Sequence, residues 1–318
     1  MLASIPNKRE SGFSLIELMI ALVLGLFIIG GVLAVFMSSS ASFNSTAALS
    51  RVQENGRFAL EILAEDLRNT GNRSNCWGDV VDVINTADSD YEADAYDLNN
   101  PIKGWTDAAG EFFVGDLTGY QANTDLVIVK HAADASGVVL SANIDSTDTT
   151  FPVTGGVVQG AILLLSDAAG CDLFQNTAAT NSASVKRGSA TGDAKIGNKA
   201  VSGQPLSHAY ISTGSTDISQ LSSALYYVGS GAFSATALRS VHYDNGVAND
   251  EELVEGVTDL AFLYGVVSGA SSAVDYTSDA DVVSDWDDVV AVRVNVTVQN
   301  EDIIHNFSTT VALRNRLP

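Results

Sequence analysis

The chain has 318 residues, of which 46% are apolar and 8% aromatic, a composition that can close a hydrophobic core and excludes an intrinsically disordered protein. Asp and Glu number 38 against 16 Lys and Arg, which gives a formal net charge of −22. A surface this acidic repels phosphate groups. We therefore expect no contact with nucleic acid or with anionic lipid head groups.

The first element is an apolar segment at residues 13–37, in which Ser14 and Glu17 are the polar residues. Its 25 residues, at about 1.5 Å per residue in a helix, are long enough to cross a bilayer. Lys8 and Arg9 precede it, and the region that follows is poor in basic residues. The positive-inside rule then predicts a single-pass helix with a cytoplasmic N-terminus and the rest of the chain outside the inner membrane.

A carboxylate at Glu17 is costly inside a membrane unless it has a partner. A cut between Gly12 and Phe13 would supply one, because the new ammonium at Phe13 lies one helical turn from Glu17. Two alternatives remain open. One is an ordinary secretory signal cut near residues 39–41, for which the apolar core is too long; the other is a simple membrane anchor with a chance glutamate.

The run SGFSLIELMIALVLG, residues 11–25, resembles the class III signal of type IV prepilins. The resemblance implies cleavage by a prepilin peptidase after Gly12 and N-methylation of Phe13. It also implies that Glu17 neutralises the terminal amine of an adjacent subunit during filament assembly.

The helix is predicted to continue beyond the apolar segment, since residues 7–100 contain no proline. Apolar residues recur there at helical spacing, with charged residues between them. Gly71 is the predicted C-terminal stop, which gives a helix of about 57 residues and roughly 85 Å.

The cysteines of this sequence, Cys76 and Cys171, both lie in the exported part and suit a single disulfide in an oxidising compartment. Such a bridge would close a loop of roughly 95 residues and stabilise the fold by about 4 to 5 kcal/mol in the chain-entropy model. Two unpaired buried thiols are the alternative.

The region after residue 71 is rich in turn-forming residues with short apolar runs between them, which predicts strands. We expect strands at 125–132, 161–167, 224–229, 237–246, 289–300 and 307–313. Residues 249–264 begin with apolar residues at helical spacing and then alternate, which predicts a short helix running into a strand. The predicted fold class is α+β, with a long N-terminal helix packed on an antiparallel β-rich head.

Three features near the C-terminus make the resemblance to type IV prepilins more specific. They are the run LVEGVTDLAFLYG, Trp286 shortly before VVAVRVNVTVQ, and the terminal FSTTVALRNRLP. Together with SDAAGCDLFQ around Cys171, they resemble PilW-type minor pilins. Pseudopilins of type II secretion systems, of the J kind, share the same general plan and are the nearest rival. Residues 80–125 and 175–220 match nothing in this resemblance.

No catalytic or metal-binding pattern is present in the sequence. The four histidines are isolated, and no HExxH, G-x-S-x-G, phosphate-binding loop or dinucleotide fingerprint occurs. We therefore expect no catalytic residue, no metal site and no cofactor, and a protein that is not an enzyme. Acidic loops, for example residues 275–288, are expected to be solvated. The alternative is that such a loop binds a calcium ion, which would hold it in place.

The predicted function is that of a minor pilin that primes assembly of a type IV pilus, lies at or near its tip, and acts through subunit contacts. A type II secretion pseudopilin is the alternative, and a membrane-anchored adhesin or ligand-binding module is a third hypothesis. The resemblance implies other minor and major pilins, the prepilin peptidase and the inner-membrane assembly platform as partners. The chain would be membrane-inserted, with a periplasmic head, before it joins a surface pilus. The expected segments are a leader (1–12), a filament-core helix (13–37), its amphipathic continuation (38–70) and the head (71–318).

Overall fold

A computed structural model describes residues 12–135, 137–214, 216–267 and 274–316. The chain divides between Arg51 and Val52 into two compact units. The N-terminal unit consists, in its described part, of the first two thirds of one long helix. The second unit contains the end of that helix and the β-rich head.

The long helix α1 spans Leu15–Asn69, 55 residues without a break. It ends where Gly71 adopts a positive φ of 73° and donates its N–H to the carbonyl of Lys130. Glycine adopts this left-handed conformation without steric cost, so it suits the residue that turns the chain away from a helix end. The second helix is the single turn α2 (Ala93–Tyr96).

Strands make up most of the head. In chain order they are β1 (Val81–Asp82), β2 (Ile102–Trp105), β3 (Leu126–Asp134), β4 (Val139–Leu140), β5 (Thr150–Thr154), β6 (Ile162–Asp167), β7 (Gly170–Gln175), β8 (Ser184–Lys186), β9 (Ser189–Thr191), β10 (Ala194–Gly197), β11 (Asp217–Ser230), β12 (Thr236–His242), β13 (Asn249–Glu255), β14 (Val257–Val267), β15 (Val274–Thr277), β16 (Val289–Asn300) and β17 (Ile303–Ala312). Short 3₁₀ turns lie at Phe112–Asp116, Ala280–Val282, Trp286–Asp288 and Arg314–Arg316.

The described strands form two principal sheets. The larger has eight strands in the order β1-β7-β6-β11-β12-β13, with β3 pairing to β11 and β2 pairing to β3. The smaller has four strands in the order β15-β14-β16-β17. Pairing is antiparallel throughout both sheets except between β1 and β7. The antiparallel β-rich head with its long helix is the predicted α+β pilin-like fold.

The core between α1 and the sheets follows from two periodicities. Val52, Ala59, Leu63 and Leu67 share one face of the helix and are buried. Alternate residues of β16 supply the matching side of the same core: Val292, Val294, Val296 and Val298. Full burial of each such side chain contributes about 1.5–3 kcal/mol, so this core is a principal source of head stability.

The strand β3 is buried on both faces, which explains the apolar run with which it begins, residues 126–129. Val127 and Val129 face the core that contains α1, whereas Leu126 and Ile128 face a second core on the other side of the sheet. A strand covered on both faces reads as a continuous apolar run instead of an alternating one.

For residues 249–264 the predicted short helix is wrong, whereas the strand into which it was predicted to run is confirmed as part of β14. The structure has β13 and β14 there, separated by Gly256, whose φ is 76°. Gly256 donates its N–H to Thr236 of the larger sheet and accepts from the N–H of Gln299 in the smaller one. The chain changes sheets at this glycine, which interrupts the alternation and leaves buried residues at an apparent helical spacing.

Candidate functional site: the assembly helix and its junction with the head

The N-terminal end of α1 carries the residues that the prepilin signal singles out. Gly12 and Phe13 are exposed, and the Phe13 side chain is 90% accessible. The predicted leader, residues 1–12, lies outside the described residues except for Gly12. The two residues on either side of the expected cleavage point are thus both exposed.

Ser14 and Glu17 close the first turn of α1 as a capping box. The N–H of Ser14 donates to Glu17 Oε2 at 3.0 Å, and the N–H of Ile16 donates to Ser14 Oγ at 3.3 Å. These bonds satisfy two of the free N–H groups of a helix N-terminus, and the negative carboxylate lies at the positive end of the helix dipole. Glu17 is thus held next to the residue that cleavage would make the new N-terminus.

The apolar surface that follows is exposed. Helix α1 contains an 18-residue window with a mean hydropathy of 2.9, and none of that window is buried. The exposed large apolar side chains of residues 13–37 include Phe27, Ile28 and Phe36. An apolar surface this long is stable in a membrane or against other helices, but not in water. Helix and prepilin signal together indicate membrane anchoring.

The disulfide between Cys76 and Cys171 joins the segment after α1 to strand β7, with 5.7 Å between the two Cα atoms. Cys171 is fully buried, and Cys76 packs against the second core. Both cysteines were predicted to pair. The bridge fixes the start of the head, immediately after the helix, to strand β7 of the eight-stranded sheet.

A polar cluster that the sequence did not reveal ties the end of α1 to the head. Asp66 accepts from the Tyr226 hydroxyl at 2.8 Å and lies 3.0 Å from His131 Nε2. Burial lowers the pKa of His131, but the hydrogen bond and negative charge of Asp66 outweigh it, so the pKa lies above its ordinary value. The partners lie 65 and 160 residues away in sequence, so no local pattern could have found them.

A second polar cluster holds the loop before β11 on the β6–β7 hairpin. The carboxylate of Asp172 accepts from the Tyr210 hydroxyl and from Ser207. His208 lies 2.9 Å from Ser207 Oγ and 3.0 Å from Asp167. Within the described residues, no group of three or more His, Cys, Asp or Glu side chains is placed to hold a metal ion.

Two family models match the chain. The prokaryotic N-terminal methylation motif matches residues 7–33, and the model described as type IV pilus-assembly protein W matches residues 225–312, from β11 to the end of β17. No curated protein and no solved structure matched. Together with the long apolar helix and the antiparallel β-rich head, these matches support a type IV prepilin-like minor pilin, with the similarity to the PilW model confined to residues 225–312.

Proposed function

We propose that this minor pilin enters the filament through α1, helps to prime assembly at or near the pilus tip, and acts through subunit contacts. The observation that carries the proposal is the 18-residue apolar window of α1, which has a mean hydropathy of 2.9 and no buried residue. A surface of this kind needs a bilayer before assembly and neighbouring helices afterwards. The chain would pass from one environment to the other.

Processing would begin with cleavage by a prepilin peptidase after Gly12 and N-methylation of Phe13. Glu17 would then pair with the terminal amine of an adjacent subunit. The capping box supports this role, since it holds the carboxylate on the first turn, beside Phe13. Moving Glu17 from its own Ser14 N–H to a neighbour's ammonium replaces a neutral donor by a charged one, which strengthens the hydrogen bond.

The head would face the periplasm while the N-terminus stays in the cytoplasm. Lys8 and Arg9 support that orientation through the positive-inside rule. The Cys76–Cys171 bridge supports it independently, because structural disulfides form in the periplasm and are rare in the cytosol. We propose four segments: a leader (1–12), a filament-core helix (13–37), its amphipathic continuation (38–70) and the head (71–318). The compact unit that contains the head also includes the helix from Val52 onward.

The bulk of the head supports the proposed place at or near the tip. Its unit runs from Val52 to the end of the chain and contains an eight-stranded and a four-stranded sheet within the described residues. A head of this size would crowd a repeating helical lattice. It fits a position at the end of the filament, where few subunits lie beyond it. The proposed partners are other minor and major pilins and the inner-membrane assembly platform.

The test is mass spectrometry of sheared surface filaments and of the remaining cell envelope. We expect a peptide that begins at N-methylated Phe13 in the filament fraction, and an intact leader in a strain that lacks the prepilin peptidase. An intact leader in the wild-type strain would overturn the proposal.

The same fractions decide between a pilus and a type II secretion system. Deletion of the gene should reduce pilus number and leave protein secretion unchanged. A processed chain confined to the envelope, together with blocked secretion, would favour the pseudopilin alternative.

A further inference from the structure

Strand β17 is an edge strand whose outer side is open. The N–H of Leu313 donates to the carbonyl of Val290, its direct partner in the register with β16. Hydrogen-bonded and non-hydrogen-bonded pairs alternate along an antiparallel ladder, so the N–H and C=O groups of the odd-numbered residues of β17 bond to β16. The N–H and C=O groups of the even-numbered residues then point away from β16. These residues are Ile304, Asn306, Ser308, Thr310 and Ala312, all with exposed side chains. Among the described strands β17 pairs with β16 alone, and no hydrogen bond of a described turn, loop or cap uses these N–H groups.

Natural edge strands are protected by charge, proline, bulges or shortness, and β17 has none of these. It is ten residues long, contains no Asp, Glu, Lys, Arg or Pro, and pairs with β16 in an uninterrupted register. Among the described strands, the other long edge is β13, which carries four carboxylates in seven residues. The remaining edges, such as β1 and β15, have four residues or fewer.

The two ends of the open edge carry opposite charge. Glu301 and Asp302, both exposed, form the turn before β17, and the exposed Arg314 follows it. An antiparallel partner strand would be favoured if it placed a basic residue beside the turn and an acidic residue beside Arg314. A polarity of this kind fixes strand direction and register more than it adds affinity.

We propose that the β17 edge binds an extended segment of a neighbouring pilin-like subunit, which adds antiparallel to the four-stranded sheet. The mode is β-augmentation, in which main-chain hydrogen bonds supply affinity and charges at the ends supply direction. The inference rests on the proposed function, because it names the surface through which the head contacts a neighbour in the filament.

Amide hydrogen exchange tests the edge directly. The full chain is compared alone in detergent and in assemblies captured from filaments through a tag on this chain. We expect the even-numbered amides of β17 to exchange quickly in the isolated chain and at least about tenfold more slowly in the assemblies. The acidic edge strand β13 serves as the internal control and should not change.

The outcomes separate this inference from the proposed function. Absence of the chain from filaments contradicts the proposed function. Presence of the chain in filaments with unchanged β17 exchange overturns the inference alone. Protection that already appears in the isolated chain and rises with its concentration assigns the edge to a second copy, which also overturns it.

A variant provides an independent test. Ser308→Pro removes one outward N–H and leaves the bonds to β16 in place, so an edge strand tolerates it. We expect about tenfold less of this variant in sheared filaments, an equal amount in envelopes, and an unchanged thermal midpoint. Ser308→Ala keeps the N–H and should behave as wild type. Wild-type incorporation of Ser308→Pro would overturn the inference; if the variant fails to fold, the exchange measurement decides.

Discussion

The ring of Phe307 lies where a side chain on Gly56 would begin. Helix α1 approaches β17 closely at this point because Gly56 has no Cβ atom. Glycine in a helix interior costs up to about 1 kcal/mol relative to alanine, so this residue is tolerated for the contact it allows. The Gly56–Phe307 contact thus sets how the helix lies against the four-stranded sheet.

Replacing Gly56 with alanine should destabilise the head despite the better helix propensity. We expect a loss of about 1–2 kcal/mol, because the added methyl group forces the Phe307 ring out of its position. Denaturant unfolding of the full chain in detergent, followed by tryptophan fluorescence, measures the change.

The control is the same substitution in a Phe307→Ala background. There the added methyl group has no ring to meet, and Gly56→Ala should stabilise by up to about 1 kcal/mol. Destabilisation of similar size in both backgrounds would show that the ring contact is not the cause.

Replacing Glu17 with alanine should reduce incorporation into filaments by about tenfold or more without affecting the head. The first turn of α1 would lose the charge that we propose pairs with a neighbour's amine, together with the carboxylate that caps Ser14. The amount of processed chain in sheared filaments and in envelopes, together with the thermal midpoint of the head, measures the effect.

Glu17→Gln separates the two roles of this residue. Its amide oxygen can still accept from the Ser14 N–H, but it carries no charge. We expect Glu17→Gln to assemble as poorly as Glu17→Ala. Full incorporation of the glutamine variant would show that capping, and not charge neutralisation, is what assembly requires.

The sequence predicts those parts of the fold that local periodicity determines. Helix α1 and its end beside Gly71 follow from composition, from the absence of proline and from one glycine. Strand β16 follows from alternating valines that the structure buries on one side. The open edge of β17 depends on which strand lies beside it, and no periodicity reports that.

Long-range relationships could not be predicted. The bonds of Asp66 to His131 and Tyr226 join residues from distant strands, and each residue alone looks like an ordinary polar residue. Gly256 misled the prediction for a related reason. A crossing between two sheets leaves the same spacing of apolar residues as a helical turn does, and a single sequence does not distinguish them.

Removing the Cys76–Cys171 disulfide should destabilise the head by about 4 kcal/mol, because the bridge closes a loop of 95 residues in the unfolded chain. The variant is Cys76→Ser with Cys171→Ala, since Cys171 is fully buried and a hydroxyl there would be unsatisfied. Thermal unfolding in detergent measures the loss.

Reductant provides the control for the disulfide prediction. It should lower the thermal midpoint of the wild-type chain towards that of the double variant and leave the variant itself unchanged. A wild-type midpoint that is insensitive to reductant at full reduction would contradict a stabilising role for the bridge.

The contribution of Lys130 to stability should increase with pH above neutrality. This side chain is fully buried in β3, and its ammonium donates to the carbonyls of Asp94 and Ala93 at 2.6 and 3.3 Å. Burial lowers the pKa of Lys130 from 10.5 to about 7, while the negative charges of Asp97 and Asp94 partly oppose the change.

The sign follows from proton linkage. Below pH 7 both folded and unfolded chains hold the proton, and the folded chain bears the full cost of a buried charge. Between about pH 7 and 10.5 the unfolded chain binds more protons than the folded one, so the free energy of unfolding rises with pH, by about 1.4 kcal/mol per unit at most.

The variant Lys130→Met should flatten this rise, since methionine fills a similar volume without titrating. Denaturant midpoints of the full chain in detergent, measured at half-unit steps from pH 6.5 to 10, give the slope. The slope of stability against pH, and not the absolute stability, tests this prediction, because methionine also leaves the carbonyls of Asp94 and Ala93 without their donor. Lys195, an exposed lysine of β10 that does not act on Lys130, is the matched control. Lys195→Met should retain the wild-type slope, and equal slopes in wild type and Lys130→Met would show that Lys130 keeps its charge throughout this pH range.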